Sequence, residues 1–273
     1  MTTIWSILLA ILIFGCIIAI HEFGHFIAAK RNGIQVNEFA IGMGPKIFHF
    51  QKGETLYSLR LFPIGGFCSM EGEDAESKNA RAFDQKPVWR RMIVVLAGAF
   101  MNLVLGFVLL IATTCSDPYL ISNTIHGFHE QATSNTCGLQ VGDTIVSLNG
   151  SHIFTITDLQ YKLSNESGEP FTVVVERDGK KVKLQNVTFR DQENNDWLDF
   201  SLEPQQKTVF HVLSYAAKDT VATGKLIWMS LIELVTRKYG IQDLSGPVGT
   251  VEVISNAATA GATAAERISS VLH

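Results

Sequence analysis

Residues 4–20 are apolar apart from Ser6 and carry no charge, and the run leads directly into His21-Glu22-Phe23-Gly24-His25. An α-helix rises about 1.5 Å per residue, so about 20 residues cross a hydrocarbon core of about 30 Å. The run is short of that alone, but the helix can continue through Phe23, Phe26, Ile27 and Ala29. A cleaved signal peptide would carry a basic leader and a small-residue cleavage site, and neither flanks this run. A retained span is therefore predicted. Residues four apart share a helix face, so His21 and His25 can offer their imidazoles to one ion, with Glu22 beside them to hold a water. The five-residue pattern recurs by chance in soluble helices, but ionisable groups inside an apolar span are costly and mark function. Zinc suits such a site because it acidifies water and polarises a carbonyl. His21 and His25 are the candidate ligands, and Glu22 is the candidate catalytic base. A catalytic zinc site normally takes three protein ligands, so a third is required.

A second span is predicted over residues 93–112, which carry no charge and have Asn102 as their one strongly polar side chain. Lys30, Arg31, Lys46, Lys52, Arg60, Lys78, Arg81, Lys86, Arg90 and Arg91 lie between the two spans, and the next basic residue after the second is Lys162. The positive-inside rule puts that intervening segment in the cytoplasm and everything after about residue 113 outside it. With 47% hydrophobic and 18% charged residues, the chain mixes spans with water-soluble segments. A net charge of −4 with no basic face gives no sign of a nucleic-acid partner. Four scattered cysteines without a CxxC pair make no disulfide framework, leaving a Cys115–Cys137 bridge outside the cytoplasm as the only pairing considered.

Between the spans, apolar stretches 46–51 and 55–61 flank Lys52-Gly53-Glu54, which predicts a β-hairpin. Residues 71–81 are polar and predict a mobile loop. Residues 144–150 read as a strand and turn, 158–163 as a short helix, and 171–182 as a hairpin with Asp178-Gly179 at its turn. Over 208–235 apolar residues recur at helical spacing, interrupted by Lys218, Asp219, Lys225 and Glu233. That pattern favours an amphipathic helix at the membrane interface over a third span.

Several motifs together resemble the site-2 protease family of intramembrane zinc metalloproteases (peptidase family M50), and specifically its RseP-like bacterial members. They are His21-Glu22-Phe23-Gly24-His25, residues 39–45 (FAIGMGP), residues 59–67 (LRLFPIGGF), Gly98 with Asn102, and residues 244–249 (LSGPVG). The resemblance implies an α+β membrane protein: transmembrane helices, a membrane-associated cytoplasmic β-hairpin and one extracytoplasmic PDZ-like β-rich domain. The corresponding boundaries are 1–30 for the first helix, 31–91 for the cytoplasmic loop and 92–114 for the second helix. Residues 120–205 form the PDZ-like domain, and 206–273 an amphipathic helix and the approach to a later span. The resemblance also implies zinc, location in the plasma membrane, and regulated cleavage of single-span membrane proteins such as an anti-sigma factor or a signal-peptide remnant. Substrate contacts are expected at Asn102, at Gly65 and Gly66 on the hairpin, and at Gly138 and Leu139, whose loop would offer N–H groups to a peptide carboxylate. The family's third ligand is an Asp in a Leu-Asp-Gly segment of a later span, and no such segment occurs up to His273. A truncated chain or an incomplete site is therefore expected, with Glu38, Glu71 and Asp117 the first acidic residues to consider if a ligand lies inside it. The alternative function is a membrane-anchored PDZ peptide-binding module without catalysis. A soluble-type zinc protease on an anchor fits less well, because the motif lies within the apolar span.

Overall fold

The computed structural model describes residues 2–130, 132–165, 170–189 and 198–236. The motif at 244–249 and the approach to a later span lie outside the described residues. The chain is an α+β protein whose described residues divide into two compact units, one ending at Leu109 and the other beginning at Leu110. The division falls inside a helix rather than in the segment that follows it.

The first unit opens with α1, Thr2–Arg31. Lys30 and Arg31 sit in its last turn, where cations complement the helix dipole. Two strands follow, β1 (Val36–Lys52) and β2 (Thr55–Met70), and then α2 (Val88–Ser116). The predicted hairpin is present, but it is longer and folded back on itself. Residues 46–52 of β1 pair with 55–60 of β2, while Glu38, Phe39, Ala40 and Ile41 each pair on both sides, with residues 56–59 and with residues 66–69. The fold-back turns on Gly42 and Gly44, whose φ values of 85° and 86° lie in the region that side chains rarely adopt. Residues 46–52 and 66–70 form the two outer rows.

Ala29, Ile34, Val36, Cys68, Met70 and Val94 make a small core where α1, the hairpin and α2 meet. Glu54, in the hairpin turn, accepts from Lys30 at 2.6 Å and from Arg81 at 2.6 and 2.8 Å. Residues 71–81 are not loose, contrary to expectation. Glu71 accepts from Asn37 and Ser77, Asn79 donates to Gln35, and the Ser77 N–H donates to Asp84. α2 begins four residues before the expected boundary of 92, so Arg90 and Arg91 lie in its first turn.

Residues Ile7–Arg31 and Val88–Ser116 are long and apolar enough to cross a membrane. Their large side chains face outward: Leu12, Leu96 and Phe100 are each 61% exposed, as are Ile47 and Phe48 on the hairpin. Contiguous apolar surface of this extent is rare on soluble monomers.

In the second unit one sheet has the order β7-β6-β4-β3-β8, with β5 paired to β4. Its strands are β3 (Leu120–Phe128), β4 (Thr144–Leu148), β5 (Ser151–His152), β6 (Phe171–Arg177), β7 (Lys180–Val187) and β8 (Phe200–Gln205), with α3 (Ile156–Asn165) between β5 and β6. Every second residue of β6 (Phe171, Val173, Val175) is buried against Ile145, Leu148 and Leu159, the alternation of a strand with one covered face. The β6–β7 turn uses Asp178 and Gly179 at φ 49° and 72°. All four cysteines are free, so Cys115 and Cys137 are not bridged. α4, Val209–Val235, is capped by Thr208, whose hydroxyl accepts from the His211 N–H. Three of its charged residues face its own unit, while Lys218 is exposed: Asp219 accepts from Thr155 and Thr157, Lys225 pairs with Asp158 at 3.1 Å, and Glu233 accepts from Tyr161.

The Glu54 tether has a defined pH dependence. Hydrogen bonds from Arg81 and then Lys30 lower its carboxyl from the ordinary 4.5 to about 2. A carboxylate depressed on folding contributes stability above its unfolded pKa and loses it as pH falls through the folded one. Protection of the 52–55 turn amides, taken relative to the intrinsic exchange rate at each pH, is therefore expected to stay constant down to about pH 4.5 and to fall from there toward pH 2. Glu54→Gln should show the reduced protection already at pH 7.

Candidate metal centre

Helix α1 brings His21, Glu22 and His25 against α2 through two glycines. A Cβ on Gly24 would stand 2.4 Å from the Ala97 carbonyl oxygen, so only glycine lets the two backbones come this close. A Cβ on Gly98 would stand 2.5 Å from His25 Nε2 and 2.6 Å from His21 Nε2. The missing side chain at Gly98 thus leaves room at the point where the two imidazoles converge.

The two Nε2 atoms are 3.1 Å apart. Two nitrogens bound at about 2.0–2.1 Å to one tetrahedral zinc would be separated by about 3.3 Å, so this pair fits the ion with little movement. His25 Nδ1 donates to the Val94 carbonyl at 2.7 Å, because a carbonyl oxygen can only accept. This orients the ring so that its Nε2 faces His21. Asn102, expected to contact substrate, has its amide nitrogen 3.2 Å from His21 Nδ1. The Asn102 Oδ1 is buried without a partner.

Glu22 and His25 line a cavity of about 620 Å³ together with Phe67, Cys68, Glu73 and Val94. The hairpin row of residues 66–70 reaches this wall, since a Cβ on Gly66 would lie 3.4 Å from Glu22 Cγ. Gly65 instead packs toward the Met43 side chain.

Among the described residues no three His, Cys, Asp or Glu side chains gather to hold a metal. Glu38 is held by Ser58, Arg60 and Lys46, and Glu71 by Asn37 and Ser77, so neither is available as a ligand. Asp117 follows the end of α2, where its backbone carbonyl accepts from Lys207. The acidic side chains that do share the cavity are Glu73 and Asp74, which the sequence did not single out. Burial pushes the Glu73 carboxyl above its ordinary value.

Gly138 and Leu139 lie in the second unit, and the expected carboxylate contact is not supported there. The Gly138 N–H donates to the Asn135 carbonyl at 3.2 Å and the Leu139 N–H to the Ser134 carbonyl at 3.4 Å. The Leu139 side chain is buried in the core, and Arg177 donates to the Gly138 carbonyl at 2.9 Å. The loop is a structural clasp, closed by the paired Arg177 and Asp143.

An apolar helix that carries two convergent histidines and a glutamate, packed on a second apolar helix, defines a membrane metallopeptidase. The sequence comparisons agree. The family model for peptidase family M50 matches residues 9–272. A predicted zinc metalloprotease of Clostridium acetobutylicum is 35% identical over 260 residues, covering 94% of this chain and 76% of the relative. One from Clostridium perfringens is 34% identical over 94% of this chain and 77% of the relative. The Bacillus subtilis regulator of sigma-W protease RasP is 28% identical, over 94% of this chain and 81% of the relative. The chain belongs to peptidase family M50, as an RseP-like site-2 protease; it is a metalloendopeptidase, and its metal is zinc.

Gly98→Ala tests the space between the histidines. The added methyl should occupy it, so bound zinc is expected to fall at least tenfold while helix content is unchanged. Elemental analysis and circular dichroism of the purified protein check this.

Proposed function

We propose that the protein is an intramembrane endopeptidase that cuts single-span membrane proteins near the cytoplasmic face of the plasma membrane. The convergence of His21 Nε2 and His25 Nε2 over the gap left by Gly98, with Glu22 next to them on α1, is the observation that carries this reading. His21 and His25 hold the zinc, with a third ligand from outside the described residues. Zinc bound there polarises the scissile carbonyl and lowers the pKa of water. Glu22 takes the proton of the attacking water and passes it to the leaving amine, a general acid–base role worth about 10²–10⁴-fold in rate.

Hairpin residues 66–70 pair with β1 on one side and run past Glu22. That placement supports a role for their outer edge in pairing with an unwound substrate segment, as an added strand. Gly66 is the residue of this row nearest the chemistry. A backbone edge at this depth suits a site lined by protein or by a wet cavity. The name of the B. subtilis relative makes that protein a regulator of sigma-W. By analogy, an anti-sigma-factor type of substrate is the first to test here, with signal-peptide remnants the second.

The N-terminus lies outside, residues 31–91 inside and the β-rich unit outside, where it acts as a PDZ-like module governing which substrates gain access. α4 accompanies it as an interfacial helix. Lys207, two residues before α4, donates to the carbonyls of Cys115 and Asp117 at the end of α2, which supports a start at the membrane surface. With Asp219, Lys225 and Glu233 of α4 turned toward its own unit, Phe210, Leu213, Trp228 and Leu231 are left exposed.

Glu22→Gln should retain zinc and lose hydrolysis of a model membrane-span substrate by about 10²-fold or more, since an amide cannot accept the water's proton. His21→Ala and His25→Ala should lose both. Zinc retained in either histidine variant would remove these residues from the ligand set. Reporter fusions after residues 75 and 150 should be active in the cytoplasm and outside it, respectively; the reverse pattern would overturn the orientation.

A further inference from the structure

The second unit holds a cavity of about 350 Å³ between the first turns of α4 and strand β3. That volume falls within the range of small-ligand sites, about 300–1,000 Å³. Its α4 wall is one polar stripe, because His211, Ser214, Tyr215 and Lys218 recur at the three- and four-residue spacing of a single helix face. Among the described residues the hydroxyls of Ser214 and Tyr215 and the ammonium of Lys218 have no partner. The strand side differs. Ser122 accepts from the Thr124 N–H, Asn123 donates to the Ile153 carbonyl, and the Thr124 and Thr144 hydroxyls bond each other. The strongest donors on offer to a ligand therefore belong to α4.

Burial pushes the Tyr215 hydroxyl up to about 12, with Asp219 and Asp117 adding to the rise, so it remains a donor at neutral pH. Two hydroxyl donors beside an ammonium suit an anion, and the carboxylates nearby set its charge. Asp219 is already bonded to Thr155 and Thr157, but it and Asp117 still offset the positive charge of Lys218. A ligand with a single negative charge fits this balance, and a multiply charged one does not. Ser122, Asn123 and Gln205 complete the lining with groups that both donate and accept, as a polyol requires. Part of the rim is apolar. Ile121 and Phe210 line the cavity and are themselves 37% and 77% exposed, and Leu213 extends that surface along α4. Lys207, just before α4, donates to the carbonyls of Cys115 and Asp117, so the cavity stands beside the end of the apolar helix α2.

We propose that this cavity takes the headgroup of a phosphatidylglycerol-type lipid, with Lys218, Ser214 and Tyr215 on its phosphodiester, Asn123 and Gln205 on its glycerol, and Phe210 and Ile121 toward its acyl chains. A phosphodiester carries the one negative charge that the lining balances, and glycerol supplies hydroxyls for the amides. A polar pocket with an apolar rim at the end of a span suits an amphiphile rather than a free phosphate ester. A headgroup held there fixes the start of α4 and strand β3 at the membrane surface. The assignment rests on α2 as a span and α4 as an interfacial helix. It adds recognition of one lipid to a helix whose apolar face alone would not distinguish headgroups.

The experiment titrates the full chain in detergent with phosphatidylglycerol and with phosphatidylcholine, and counts bound lipid by native mass spectrometry. The unaltered protein should prefer phosphatidylglycerol by about tenfold, since choline gives up the glycerol hydroxyl bonds. Lys218→Gln should lower phosphatidylglycerol binding by about tenfold and Tyr215→Phe by about fivefold. Lys181→Gln, at an exposed lysine of β7, should leave it unchanged. Equal binding of the two lipids, or equal losses from Lys218→Gln and Lys181→Gln, overturns the inference. Glycerol phosphate at the lipid's own concentration should displace none of it; displacement would make the ligand a soluble phosphate ester and overturn the lipid assignment. Lys218 is exposed and Tyr215→Phe removes one oxygen, so both variants should fold, and the two-lipid comparison needs neither. Trp228, exposed on α4, separates the two ways of failing. In a chain whose other tryptophans are phenylalanine, brominated acyl chains of phosphatidylcholine nanodiscs should quench its fluorescence. No quenching overturns the interfacial reading of α4 and the inference with it, whereas quenching without a headgroup preference overturns the inference alone.

Discussion

The close approach of α1 and α2 is the constraint on which the rest of the first unit depends. Gly24 admits the Ala97 carbonyl and Gly98 admits the two imidazoles, so the two apolar helices meet backbone to backbone. Without a hydrophobic force between helices in lipid, such contact between small residues is what holds helices together. It also carries the chemistry to its place. Only at this separation can the Val94 carbonyl reach His25 and Asn102 reach His21. Packing and site construction are thus one event, and a methyl group at either glycine disturbs both.

The hairpin solves a second problem. A polar backbone beside an apolar span is costly unless its N–H and C=O groups are paired. β1 and β2 meet this by folding back at Gly42 and Gly44, so that residues 38–41 pair on both sides. The fold-back leaves residues 46–52 and 66–70 as the two outer rows, with the second of them beside Glu22. The turn at the far end is secured by charge, with Glu54 between Lys30 and Arg81. The site wall is therefore tied at one end to the tail of α1 and at the other to its catalytic face.

The second unit shows how misleading an isolated polar residue in a helical pattern can be. Asp219, Lys225 and Glu233 appear to interrupt an apolar stripe on α4. In the structure they share the inward face with the small residues Ala216 and Ala222 and with Val212, bonded to Thr155, Thr157, Asp158 and Tyr161, while Phe210, Leu213, Trp228 and Leu231 face outward. A sequence pattern reveals that a helix has two faces but not which one its neighbour takes. The Cys137-Gly138-Leu139 run carries a similar lesson. Its glycine does adopt a positive φ, but the N–H groups that would greet a carboxylate are already bonded within the loop.

The sequence by itself determined the two apolar helices, the zinc-binding pattern on the first and the family. Those depend on local periodicity, spacing and composition, which a linear reading captures. The turns at Gly53 and Asp178-Gly179 were legible for the same reason, since a left-handed backbone has few residues that accept it. Only the tertiary structure decided what surrounds the pattern. Val94 contributes a backbone carbonyl, which every residue has and no sequence advertises. Glu73 and Asp74 reach the cavity because β2 ends beside α1, while Glu38 and Glu71, equally acidic on paper, are consumed by neighbours. Asn102 was visible as an oddity in a span, but its partner was not. The role of a side chain inside a membrane is set by the few polar atoms within about 3 Å of it, and chain folding alone brings those from 69 and 81 residues away.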